Sequence, residues 1–523
     1  MEETFGILSL VPPILAIVLA IVTKKVILSL FVSVWVGATI LTGWNPLLGL
    51  SDVFVKYALP ALGDPSNAGV LNLCMFCGGL SLLLERGGGA EVFARTINQK
   101  LAKTKKHGQI LAWLGGIAIW FSDSTNPVLI GPVFRPITDK LKISREKLAY
   151  IVDSTTSPVP TLFPISAWGA YIISIITKYY QESGYAGNPY NDFVSGIPFQ
   201  YYTIGAVLMV LLIAITGWDY GPMKKAEDRA EKEGKLFRDG AHLTKPEEKF
   251  VLPEGANPTI WNMLIPLISL IIIIFALFLY TGGFPEKPLI LALTSAKTIM
   301  SLITAFFITA IITGAIGVYT KVYTPSGAID VFLEGCYNMS ETIIIMVLAW
   351  AIGSVCKGIG TSAFIVKIAE GFLTPTSMYV IVFIAACFTA FATGTSWGVF
   401  AIFTPIAISL ALAIDAPVSA AIGVVLSGGI FGDHCSPISD TTVLSSMGSS
   451  CDHIDHVTTQ LPYALTVAVA AMLGYLVAGI TGNNAYIGLA TTLISMVVIV
   501  IVLNKISTNK LEKEKALKTS DIN

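Results

Sequence analysis

Between Gly428 and Ser446 the sequence GGIFGDHCSPISDTTVLSS gathers two carboxylates, an imidazole and several hydroxyls: Asp433, His434, Ser436, Asp440, Thr441 and Thr442. The stretch follows the small and apolar run Ala416–Leu426, so these groups fall where a membrane-spanning helix should continue. Ionisable groups are expensive in hydrocarbon and are rare there unless they face a cavity or a partner. Pro437 lacks a backbone donor and clashes with the preceding turn, so the helix is expected to break beside it. Broken backbone at membrane depth is tolerated only inside protein or beside water. Carboxylates, hydroxyls and freed carbonyls at one break make an oxygen-rich site, the chemistry a hard monovalent cation needs. Asp433, one residue from an imidazole, is the leading candidate for the coupling acid.

Two further stretches have the same character. YIVDSTTSPVPTLFP carries Asp153, Thr155 and Thr156 ahead of Pro158, Pro160 and Pro164, inside an otherwise apolar run. FSDSTN places Asp123, Thr125 and Asn126 between the short apolar runs ILAWLGGIAIWF and VLIGPVFRPI. A helix of such length reaches only ~18 Å, against roughly 30 Å of hydrocarbon. A re-entrant hairpin with Ser122–Pro127 at its tip therefore fits better than two crossings. FATGTS, with Thr393, Thr395 and Ser396, is its counterpart later in the chain.

Each of these residues also has a plainer use. The aspartates would serve as helix caps around the prolines, and the hairpin hydroxyls would satisfy local backbone. His434 suits either a proton carrier or a helix-end hydrogen bond. Arg135 would either snorkel to the interface or clamp a substrate carboxylate. CDHIDH, Cys451 to His456, has metal-ligand residue types without metal-ligand spacing. It is expected to form a cytoplasmic loop, and no bound metal is expected.

The elements that position these groups are legible from composition. The chain has 523 residues, 54% hydrophobic and only 13% charged, with mean hydropathy +0.72. Soluble domains average about 25% charged residues, so this is an all-α polytopic membrane protein whose surroundings are a lipid bilayer. Nucleic acid is not an expected partner. Cys74 and Cys77 form a CxxC, but inside the run VLNLCMFCGGL, where small core thiols are the simpler reading. A channel would want a continuous pore, and an enzyme a nucleophile–base or metal constellation; CDHIDH is the one compact candidate for the latter.

The halves repeat. LLLERGGGAEVFARTI (Leu82–Ile97) pairs with GSVCKGIGTSAFIVKI (Gly353–Ile368), FSDSTN with FATGTS, FRP (Phe134–Pro136) with FTP (Phe403–Pro405), and DSTTSP with GDHCSP. The first three pairs keep offsets of 271, 270 and 269 residues, as a duplication requires, and the fourth follows in the same order. Residues 1–217 and 259–503 are read as two transmembrane repeats, 218–258 as a charged cytoplasmic linker, and 504–523 as a basic cytoplasmic tail. Placing Lys24 and Lys25 in the cytoplasm puts most of the 33 Lys and Arg residues on that side. Each repeat then crosses about five times, besides its re-entrant hairpin and broken helix, so the repeats have inverted topology, a recurring build of secondary transporters.

GDHCSPISDTT, with RPITDKLKISREKLAYIVDSTTSP (Arg135–Pro158), resembles the NhaC-type sodium/proton antiporter family of the ion-transporter superfamily. The resemblance runs over nearly the whole chain. It implies sodium–proton exchange in the bacterial cell (inner) membrane, with sodium and protons as transported species and no cofactor. Members assigned to organic acids, such as malate–lactate exchange, and to amino acids make a small organic solute the alternative cargo, and the resemblance leaves a homodimer open. The family pattern carries two adjacent acids at the first hairpin tip, where this chain has Ser122 beside Asp123.

Overall fold

The structure, a computed structural model, describes residues 5–23, 25–89, 91–92, 103–120, 123, 125–243, 252–289, 292, 296–361, 364, 373–437 and 439–520. Among these residues every regular element is a helix. The principal ones are α1 (Val11–Thr23), α2 (Val26–Leu41), α3 (Pro65–Arg86), α4 (Lys105–Ala118), α5 (Thr125–Lys140), α6 (Arg145–Thr156) and α7 (Ala167–Ser183). There follow α8 (Tyr201–Thr216), α9 (Gly221–Glu233), α10 (Trp261–Gly282), α11 (Thr298–Tyr319), α12 (Pro325–Tyr337) and α13 (Ser340–Gly358). The last are α14 (Pro375–Thr393), α15 (Ser396–Ala413), α16 (Val418–Cys435), α17 (Asp440–Gly448), α18 (His453–Ile480) and α19 (Ala485–Ser520).

Among the described residues, nine helices are long and apolar enough to cross a membrane, or ten if α2 and the segment Pro46–Gly63, bent by 118°, are one span. α10 leaves Ile268, Ile271, Ile272 and Phe275 exposed, and α19 leaves Ile494, Val498, Ile501 and Val502 exposed. Contiguous apolar faces of that kind suit lipid rather than water, and the protein is a multi-pass membrane protein. α16 is the opposite case, with 94% of its span buried inside the protein.

Both helix breaks form where the prolines demand them. α16 stops at Cys435, just before Pro437, and α17 resumes at Asp440. α6 stops at Thr156, a short turn occupies Pro158–Thr161, and α7 begins at Ala167 with Ser166 accepting from the Gly169 amide at 3.0 Å. The hairpin arms are longer than the apolar runs alone. α4 and α5 have 14 and 16 residues, and α14 and α15 have 19 and 18. α4 gains a turn because Thr104 caps it ahead of Lys105, and α5 continues through Pro132 and Pro136 to Lys140. Of the first tip, Phe121, Ser122 and Ser124 lie outside the described residues, as do 93–97 and 365–368 of the first repeated pair. Gly394 makes the second tip, its φ of 70° letting α14 end in a left-handed turn.

One compact unit comprises Met1–Phe93, Pro160–Ile197 and Phe250–Gly432. Within it α3 packs against α11 and α12, and α7 against α13 and α15. The second comprises Ala94–Val159, Pro198–Lys249 and Asp433–Asn523. Here residues 218–243 of the charged 218–258 segment are docked. Buried Lys147 pairs with Asp219, which also accepts from Tyr463. The Ser144 amide and hydroxyl donate to Glu227 Oε1 at 2.8 and 2.7 Å.

In this second unit α5 and α17 meet backbone to backbone. A Cβ on Gly131 would lie 2.4 Å from the Gly448 carbonyl carbon, and one on Gly448 would lie 2.1 Å from the Pro127 carbonyl oxygen. Gly448→Ala is therefore expected to cost about 1–3 kcal/mol by overpacking, read as a lower melting temperature in detergent. Gly63→Ala, where nothing lies within 4 Å, should leave it unchanged.

Candidate functional site

The break after Cys435 exposes carbonyls that a continuous helix would have satisfied. Side chains from elsewhere in the second unit cap them. Thr442 Oγ1 donates to the Asp433 carbonyl at 3.3 Å, and the Gln460 amide donates to the His434 carbonyl. Ser439 sits at the N-cap position of α17 but makes no cap bond. Its hydroxyl is turned to Asp433 Oδ1 at 2.7 Å, and it lies 2.9 Å from Thr441 Oγ1. Asp433 is 2% exposed, so a carboxylate and two hydroxyls share one dry pocket of backbone.

Asp153 is fully buried on α6. Its Oδ1 accepts from Ser445 Oγ at 3.2 Å, and its Oδ2 from the Gln460 amide at 2.7 Å. His456 Nε2 lies 3.8 Å from Oδ2. One amide, that of Gln460, thus touches both the acid of α6 and the broken end of α16. His434 does not turn toward Asp153. Its Nε2 is 2.9 Å from Ser154 Oγ and its Nδ1 is 2.7 Å from Tyr202 OH, so α6 and α8 hold the ring between them.

The first hairpin meets the same helix. Buried Asn126 donates to the Gly116 and Thr155 carbonyls, both at 2.9 Å, tying the last turns of α4 and α6 together. A Cβ on Gly116 would lie 2.0 Å from Thr155 Oγ1, so this approach needs a glycine. Asn126 Oδ1 is buried and has no hydrogen-bond partner. A bare buried acceptor is costly, and a cation or a water would satisfy it. Thr155 and Thr156 instead bond back to carbonyls of their own helix. Asp123 lies half-exposed in the turn before α5, and Thr125 begins that helix.

The other sequence candidates fall elsewhere. Asp440 is exposed at the first residue of α17, where its Oδ1 accepts from the Thr441 amide at 2.9 Å. Ser436 is buried inside the break, with its carbonyl 3.3 Å from the Ser439 amide. Arg135 Nη1 donates to Ser450 Oγ at 2.5 Å. Thr393, Thr395 and Ser396 belong to the first compact unit. There Thr393 bonds the Thr389 carbonyl at 2.8 Å, Ser396 bonds the Gly429 carbonyl at 3.2 Å, and Thr395 takes the N-cap position of α15 without a cap bond.

CDHIDH is not a loop. Asp452 caps α18, accepting from the Ile454 and Asp455 amides at 3.0 and 3.2 Å, so the helix starts inside the motif. Burial pushes the Asp452 carboxyl up, but the amides of His242, Asp455 and Ile454 and the Arg238 guanidinium outweigh it and hold it below its ordinary value. The neighbouring residues that sequence reasoning missed are Ser154, Tyr202, Ser445, Ser446 and Gln460. A usable signal exists in HIDHVTTQ, where His453, His456 and Gln460 recur at the spacing of one helix face.

The model of the Na+/H+ antiporter family matches residues 159–480. An uncharacterised protein of Haemophilus influenzae is 33% identical over 95% of this chain and 95% of its own length. The malate-2H(+)/Na(+)-lactate antiporter of Bacillus subtilis is 33% identical over 29% of this chain and 33% of its own. The Alcanivorax borkumensis YdaH transporter shares the fold with a TM-score of 0.57 at 14% identity, over 83% of this chain and 89% of that one. With its family model spanning more than half of it and a relative alike along nearly its whole length, the chain, a secondary transporter, belongs to the Na+/H+ antiporter family.

Proposed function

We propose that the protein exchanges sodium for protons across the bacterial inner membrane, with two buried aspartates of the second unit dividing the work. Asp433 holds the cation together with the hydroxyls of Ser439 and Thr441, because hydroxyl oxygens can turn their lone pairs toward a hard ion. Asp153 carries the proton. Both its oxygens already accept from neutral donors, Ser445 and Gln460, and it lies 3.8 Å from an imidazole. The observation that carries this reading is the pair of buried carboxylates at one helix break, where Gln460 bonds both Asp153 and the His434 carbonyl next to Asp433.

Alternating access of this site follows from the repeat. The two hairpin pairs, α4–α5 and α14–α15, each precede a helix broken near proline, which supports a duplication of 1–217 and 259–503 with inverted topology. The charge bias supports a cytoplasmic 218–258 segment and tail. Single cysteines at Lys235 and at Asn188 should be labelled from opposite sides of the membrane; labelling from one side ends the inverted arrangement.

The likeness to a malate–lactate exchanger supports a second reading in which an organic anion moves with the ions. The deciding experiment uses purified protein in liposomes. An outward sodium gradient should drive proton uptake detected by an internal pH dye. Exchange of labelled malate, lactate or amino acids without coupled sodium and proton flux would replace the first reading with the second.

A further inference from the structure

Three side chains at the start of α18 and the end of α17 pose a proton-counting problem. Ser446 is fully buried, and its Oγ lies 2.8 Å from His456 Nδ1, 3.0 Å from His453 Nδ1 and 2.8 Å from the Thr442 carbonyl. The far nitrogens settle which tautomers are present. His453 Nε2 faces the Pro437 carbonyl at 2.7 Å, and a carbonyl only accepts, so this nitrogen carries hydrogen. Gln460 must point its amide at the Asp153 carboxylate and the His434 carbonyl. Its Oε1 therefore faces His456 Nε2 at 2.8 Å, and that nitrogen also carries hydrogen.

If both rings were neutral, both Nδ1 atoms would present lone pairs to one hydroxyl. Ser446 has a single proton, which in this structure it donates to the Thr442 carbonyl; turned away from there, it can serve only one of the two nitrogens. The other nitrogen would face an oxygen lone pair at hydrogen-bond distance, in a buried setting where an unmade bond is costly. One extra proton removes the conflict. One ring, protonated at Nδ1, donates to Ser446 Oγ, and Ser446 donates to the other.

From this geometry we infer that His453, Ser446 and His456 form a proton-binding relay that loads Asp153; the inference rests on Asp153 being the proton carrier. The step balances. The N–H bond at His453 Nδ1 breaks as an O–H bond forms at Ser446 Oγ. The hydroxyl's original O–H bond breaks as an N–H bond forms at His456 Nδ1. The charge has then moved from the half-exposed ring of His453 to the buried ring of His456, 3.8 Å from Asp153 Oδ2. Transfer of the His456 Nε2 proton to Asp153 leaves a neutral acid and an imidazole protonated at Nδ1, whose bare Nε2 then requires the Gln460 amide to turn and donate to it.

Other titratable groups surround the relay. α6 contributes Asp153 and Glu146, the latter paired with Arg229 of α9 at 2.8 Å. The end of α16 contributes Asp433, His434 and Cys435, and α17 contributes Asp440. Beside the rings, Cys451 adjoins Asp452, and Asp452 and Asp455 are both ion-paired with Arg238. Asp153 lies 3.8 Å from His456 Nε2, which gives the extra proton a destination.

The test reads the histidines directly. Full-length protein labelled with nitrogen-15 at its five histidines would be titrated by NMR in lipid nanodiscs, alongside proton-driven sodium flux in liposomes. The expected result is one proton shared by the two rings, which respond at a common midpoint. Ser446→Ala should separate their responses and slow proton-coupled sodium flux roughly a hundredfold, with sodium-induced thermal stabilisation unchanged. Ser446→Thr, which keeps the hydroxyl, should restore both behaviours. Independent titration of the rings in the unmodified protein, or normal flux in well-folded Ser446→Ala, would overturn the relay. A shared titration in protein that exchanges no sodium would keep the proton site and reject the exchange reading instead.

Discussion

Asp153→Asn protein is expected to fold, insert and bind sodium, yet lose all sodium flux driven by a pH gradient. Asn preserves the shape of the site. Its oxygen can accept from the Gln460 amide, and its amide can donate to Ser445 once that hydroxyl turns. What disappears is the carboxylate that takes up and releases the coupled proton. Burying a neutral amide also avoids the desolvation cost of a carboxylate, so thermal stability should hold or rise. The measurement is sodium-22 uptake into liposomes with an imposed pH difference, beside a melting curve with and without sodium. Exchange of ordinary pH dependence by this variant would remove Asp153 from the coupling path.

Asp433→Asn should separate the other half of the function. The Ser439 bond has an oxygen to accept it, but the cation loses its negative ligand. The apparent sodium affinity is expected to fall about 10- to 100-fold, roughly 1.4–2.8 kcal/mol, while proton uptake at saturating sodium survives. Asp440→Asn is the matched control. It is exposed and bonds the Thr441 amide, so its affinity should stay within about twofold of the unmodified protein. Equal damage from both substitutions would mean that net charge near the break, rather than ligation by Asp433, sets sodium affinity.

Much of this organisation is written locally in the chain, and much is not. The breaks beside Pro158 and Pro437 are readable because proline acts on its own turn. So are the spans, whose apolar runs became α3, α8, α11 and α18 within a few residues. The hairpin arms were underestimated because a cap such as Thr104 extends a helix beyond its apolar part. α12 is not legible in the sequence, since Thr324 and Pro325 start it ahead of a mixed rather than apolar run. Asp153 and Asp433 stand out as acids in apolar context, but their partners do not. Ser445 and Gln460 are ordinary polar residues, and nothing nearby in sequence announces that they reach an acid on α6. Asp440 is exposed, which is not legible, since an acid that opens a helix at a break looks the same in sequence whether it faces inward or out.

The discontinuous second unit also has a consequence for how the protein is made. The donors that hold Asp153 are encoded 292 and 307 residues after it. While the ribosome works through the intervening chain, α6 carries an acid with neither of these donors yet in existence. The seat for Gly131 against Gly448 is likewise empty until the last quarter of translation. Contacts so distant along the chain form late. The hydrogen bonds that hold Asp153 are therefore among the last to form, and a nascent chain stalled after α16 carries that acid without Ser445 and Gln460. Such a product is a natural target for membrane quality-control proteolysis, because its defect sits in the bilayer rather than in water.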